Sequence, residues 1–103
     1  MLNELGVKIT EINKANGWNL TTLKDWDDDY KITAIVALIT TECAEAIEGH
    51  RDNDFDNFKE ELADIIIRTL DLSTGLKIDI DAEISKKLEK NKNRGFKHGG
   101  KRI

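Results

Sequence analysis

The apolar positions of this chain recur with helical spacing in four segments separated by polar or glycine-bearing breaks. Leu2, Leu5, Ile9 and Ile12 form a heptad-like stripe that Asn16-Gly17 ends, which predicts a first helix. Residues 17 to about 28 read as a polar connector holding Trp18 and Trp26, and Asp27, Asp28 and Asp29 offer caps and favourable charge to a second helix. That helix extends to about Gly49, and its segment Ile32 to Ile39 is apolar nearly all round, broken only by Thr33. The β-branched residues there also suit a strand, but the run continues into Glu42-Cys43-Ala44-Glu45-Ala46 with no period of two, so helix is preferred. Residues 50–56 form a polar turn with Asp54 or Asp56 as the next cap. A third helix follows to about Thr74, with Leu62, Ile65, Ile66, Thr69, Leu70 and Leu72 as a broad apolar face and Gly75 as its stop. Asp79 caps a fourth helix from about Ile80 to Asn93, and a glycine-rich basic end, about 95–103, closes the chain.

The fold class expected is all-α: one four-helix bundle-like domain over residues 1–103. A helix that is apolar around its whole circumference cannot be covered by one layer of neighbours, so a second chain, most simply in a two-fold dimer, is expected to cover the rest. The absence of proline leaves nothing to force a break inside a helix. The single Cys43 excludes an internal disulfide and, with an amphipathic rather than leader-like start, points to a reducing cytoplasm. No apolar run approaches the roughly 18 residues of a membrane span.

Two short acidic motifs change this picture from fold to chemistry. Glu42-x-x-Glu45 lies on the second helix and Glu61-x-x-Asp64 on the third. Residues three apart share one helix face, so each motif aims two carboxylates the same way, beside apolar neighbours such as Ile35, Ile39, Phe58 and Ile65. Four carboxylates on an apolar seam repel each other and lose hydration unless a positive group sits among them. A hard divalent cation is the simplest such group, and Mg²⁺ commonly brings a phosphate substrate with it. The competing reading is an ordinary solvated helix face, since glutamates at this spacing are common there.

Charge is also distributed unevenly. Half of the 16 Lys and Arg residues lie after Ser85, where they face only Glu89, whereas the stretch from Asp25 to Asp64 is strongly acidic. An anion held between metal-bearing carboxylates and cationic side chains fits that division; a solvated tail or a weak nucleic-acid contact fits it too. Lys87, Asn91 and Arg94 follow one another at i, i+4 and i+7, a stripe suited to phosphate. Arg68 and Asp71 fall on the side of the third helix that carries Glu61 and Asp64, so Asp71 is either a further ligand or an ion-pair partner of Arg68. Neither His50 nor His98 stands in a Glu-x-x-His pair, which argues against a ferritin-type di-iron centre, and there is no Walker loop or zinc spacing.

Taken in order, Thr41-Glu42-Cys43-Ala44-Glu45-Ala46-Ile47-Glu48, Glu60-Glu61-Leu62-Ala63-Asp64-Ile65-Ile66-Ile67-Arg68, Lys87-x-x-x-Asn91-x-x-Arg94 and His98-Gly99-Gly100-Lys101 resemble the MazG-like all-α nucleoside triphosphate pyrophosphohydrolases. The likeness spans roughly residues 31–103. It implies a homodimer or homotetramer that hydrolyses nucleoside triphosphates, deoxynucleotides included, to the monophosphate and pyrophosphate. It implies Mg²⁺, with Mn²⁺ as a substitute, held by Glu42, Glu45, Glu61 and Asp64, and phosphate contacts from Lys87, Asn91 and Arg94. Glu45 and Glu61 are the expected catalytic carboxylates, Glu45 as the base, and Arg68, Asp71 and Lys101 are additional candidates. No membrane and no stable nucleic-acid partner is expected. The alternatives are a non-catalytic nucleotide-binding or regulatory module on the same bundle, and a helical interaction protein whose acids are its wet face.

Overall fold

A computed structural model describes residues 1–103 and is all-helical: α1 (Leu2–Ala15), α2 (Lys31–Arg51), α3 (Phe55–Gly75) and α4 (Ile80–Lys92), with a 3-10 turn at Leu23–Asp27 and a single turn at Lys97–Gly100. The helix ends follow from named caps. Asp28 accepts hydrogen bonds from the backbone N–H groups of Tyr30 and Lys31 at 2.9 Å each, which starts α2. Asp54 caps α3 through the Asn57 N–H at 3.0 Å, and Asp79 caps α4 through the Ala82 N–H at 3.0 Å.

The C-termini of the first three helices close in one way. The last carbonyls accept from two N–H groups beyond the helix, around a residue in left-handed conformation. That residue is Gly17 after α1, Asn53 after α2 and Lys77 after α3. The end of α3 therefore differs from the expectation that Gly75 stops it. Gly75 lies inside the last turn, and its lack of a side chain admits the connector instead: a Cβ there would lie 2.6 Å from both Cβ and the carbonyl oxygen of Thr21.

The three-residue link between α2 and α3 folds them into an antiparallel hairpin, whose tight end is Gly49 against the Phe58 backbone. Helix α1 packs on α3, where Gly6 comes up against Thr74 and the Leu70 carbonyl. The face of α1 that is covered runs through Gly6 and Ile9; Leu5 and Ile12, which the heptad-like stripe had grouped with Ile9, remain exposed. Helix α4 leans on α1 and makes no comparable contact with the hairpin.

The single chain therefore does not close a four-helix bundle. Its radius of gyration is 16.1 Å, against about 13 Å for a compact domain of this length. The buried hydrophobic set is Ile9, Ala46, Leu70 and Leu76 alone, while Val36, Leu38, Leu62, Ile66 and Ile67 are all more than two-fifths exposed. The all-round apolar segment of α2 is thus half covered: Ile32, Ile35 and Ile39 turn partly inward, and Val36 and Leu38 face out. No helix is long and apolar enough to cross a membrane.

Candidate metal centre

The hairpin brings the two acidic motifs face to face. Glu42 and Glu45 project from one side of α2, and Glu61 enters from the antiparallel α3. A carboxylate oxygen from each of the three lies within 4.8 Å of the others. Glu42 and Glu61 are buried, and Glu45 is exposed at the mouth of the cluster. Burying carboxylates among carboxylates is unfavourable, and the geometry records how the strain is shared. Arg68, one turn beyond Asp64, donates from Nε to Glu42 Oε1 at 3.1 Å. A proton shared with Glu61, with Arg68 assisting against burial, holds Glu42 below its ordinary range. Glu61 takes the opposite part: hydrogen bonding to Glu42, burial and the charge of Glu45 push its carboxyl up to about 7. Its Oε2 is buried with no hydrogen-bond partner.

The four-carboxylate set expected from the motifs is divided. Asp64 is exposed and stands outside the group that converges within 4.8 Å. Asp71 also stands outside that group; it accepts a hydrogen bond from Thr10 Oγ1 at 3.1 Å, which ties α3 to α1. Arg68 spends its Nε on Glu42 instead. A threonine bond across 61 residues of sequence leaves no periodic trace along the chain.

The cationic stripe is exposed along its whole length. Lys87, Asn91 and Arg94 all face solvent on α4, and no hydrogen bond or ion pair within the chain joins them to the carboxylates. Arg94 shares a shallow open surface with Lys86, Glu89, Lys90 and Asn93. Lys101 lies with Lys97, His98 and Arg102 at the terminal turn. Within one chain, then, the acidic centre and the basic helix are separate features.

Oxygen-only donors converging on one point suit a hard cation, and the orphaned Glu61 oxygen is the kind of atom such an ion would satisfy. Residues 31–97 match the MazG nucleotide pyrophosphohydrolase domain. The match covers most of the chain and takes in both acidic motifs and the stripe; this chain belongs to that family. Comparison with curated proteins and with solved structures returned no match.

Proposed function

We propose that this protein hydrolyses nucleoside triphosphates, deoxynucleotides among them, to the monophosphate and pyrophosphate with the help of Mg²⁺ or Mn²⁺. The observation that carries the reading is the convergence of Glu42, Glu45 and Glu61 within 4.8 Å around a buried carboxylate oxygen that nothing in the chain satisfies. Glu42, Glu45 and Glu61 would hold the metal, with Asp64, exposed on the same helix as Glu61, as a further oxygen donor. When bound, the metal neutralises triphosphate oxygens and makes phosphorus more electrophilic.

The chain's own groups supply the rest. Glu45, the exposed carboxylate of the cluster, is placed to accept the proton of an attacking water. Lys87, Asn91 and Arg94 stabilise charge on the departing pyrophosphate. Arg68 holds Glu42 charged and oriented before the ion arrives. Because α4 does not reach the carboxylates within the chain, the stripe meets them in an assembly of at least two chains. The exposed apolar residues of α2 and α3 supply its interface.

The test is a panel of canonical and modified nucleoside triphosphates with Mg²⁺, scored for monophosphate and pyrophosphate. Equimolar release of the two products supports the reading. Release of inorganic phosphate and a diphosphate, or binding without turnover across the panel, overturns it in favour of another phosphatase or a regulatory module.

A further inference from the structure

Helix α4 is held at one end only. From Glu83 onward every residue of it is exposed, and its half-buried residues are Ile80, Asp81 and Ala82 at the N-terminus. There the first turns of α1 and α4 cap each other. The Asp81 carboxylate accepts from the Leu2 and Asn3 N–H groups at 3.0 Å each, and from the Met1 amine at 2.9 Å. In return Asn3 Oδ1 accepts from the Ile80 N–H at 2.9 Å and the Asp81 N–H at 3.4 Å. Asn3 Nδ2 donates to Asp79 Oδ1 at 2.8 Å, the same oxygen that caps Ala82. Donors that a helix start leaves unsatisfied are thus met by side chains of the other helix, across 76 to 80 residues of sequence. These bonds also hold both acids ionised: Asp81 is drawn down to about 2, chiefly by the Asn3 and Met1 nitrogens, and Asp79 is lowered chiefly by Asn3.

We infer that Asn3, Asp79 and Asp81 are positioning residues: their reciprocal cap sets the direction in which α4 leaves the body, and so aims the Lys87, Asn91 and Arg94 stripe at its phosphates. This rests on the reading of that stripe as a phosphate site. A helix anchored by one turn swings about that turn. Apparent affinity for a phosphate ligand therefore scales with the fraction of time α4 is docked. Amide protection along α4 reports the same docked fraction independently.

The experiment exploits the complementarity of Asn3 and Asp79. Asn3→Asp sets a second carboxylate against Asp79. Asn3→Asp with Asp79→Ser restores the pairing, because the one hydroxyl oxygen at position 79 both accepts from the Ala82 N–H and donates its O–H to the new carboxylate at position 3. Hydrogen exchange of the α4 amides, affinity for inorganic pyrophosphate with Mg²⁺, and the Mg²⁺-induced melting shift are measured on all three proteins. Asn3→Asp should speed α4 exchange and weaken pyrophosphate binding by a similar factor, about tenfold if docking falls to a tenth. It should leave the Mg²⁺ shift intact, and the double substitution should restore both. Exchange that does not change in Asn3→Asp, or that changes while pyrophosphate affinity stays the same, overturns the positioning role. A wild-type protein that binds Mg²⁺ but no pyrophosphate overturns the phosphate reading of the stripe, and the exchange data then still decide whether the cap holds α4.

Discussion

Replacing Glu61 by glutamine keeps the shape of the most perturbed carboxyl and removes its charge, so it separates a metal centre from an acidic surface. In the wild-type protein without metal, Glu61 titrates near 7 when folded, against 4.5 as its ordinary value. Below about pH 4.5 both states carry the proton and the stabilising effect of the raised value is complete. It is lost as pH rises toward and through 7. At pH 6 about 0.9 of folded and about 0.03 of unfolded chains are protonated there, so unfolding releases about 0.9 proton and the melting temperature falls with rising pH. The carboxyls that are held down, Asp25, Asp28, Asp79 and Asp81 from their ordinary 3.8 and Glu42 from 4.5, act in a lower window, and the Met1 amine, raised above its ordinary 8.0 by Asp81, acts at the upper edge, so the slope from pH 5 to 7 belongs to Glu61. Glu61→Gln should abolish that slope and melt higher than wild type at pH 8. Mg²⁺ must displace the proton, so its apparent affinity for wild type should rise as pH passes 7. At Mg²⁺ tenfold above its Kd, mass action adds about 1.4 kcal/mol, or roughly 6–11 °C for a chain of this size. Glu61→Gln should lose most of that rise and reduce turnover on the order of 10³-fold. Scanning calorimetry across pH 5 to 8, with and without Mg²⁺, reads all of these. Glu48→Gln, at an exposed carboxylate paired with Arg51, is the control. If both variants kept the wild-type pH slope and Mg²⁺ shift, the cluster would not be a metal centre.

Three further outcomes are expected. Arg94→Ala should lower kcat/KM by about 10²–10³-fold with an unchanged melting temperature, since Arg94 is exposed; unaltered kinetics would make the stripe ordinary surface. Gly75→Ala gains about 0.5–1 kcal/mol of helix propensity but drives a methyl into the Thr21 backbone, so denaturant titration should show a net loss of about 1–2 kcal/mol, and a stabilised variant would refute the close contact. Ile66→Lys alters a residue that is 53% exposed in the single chain, so it should leave the fold intact while shifting light-scattering mass toward the monomer; an unchanged mass would place the interface elsewhere.

Much of the architecture is legible along the chain because helices are local. Period, caps and stops lie within a few residues of one another, so Asn16-Gly17, Asp54 and Asp79 mark true ends in sequence and structure alike. Gly75 shows the limit: a glycine near a helix end looks like a stop, and only the packing of Thr21 against it reveals a close contact instead. The same holds for the stripe on α1, where period alone cannot tell that Ile9 is covered and Ile12 is not. For the site, spacing three put each pair of acids on one face, and the resemblance tied the pairs together as one ligand set. What the fold alone decided is how the four divide. Antiparallel packing presses Glu42 and Glu61 into a buried contact, where mutual charge and lost hydration force one to hold a proton and the other to lean on Arg68. It leaves Asp64 in solvent and gives Asp71 to Thr10. Burial and distance between side chains of separate helices are set by how those helices cross, and no local pattern of residues encodes the crossing.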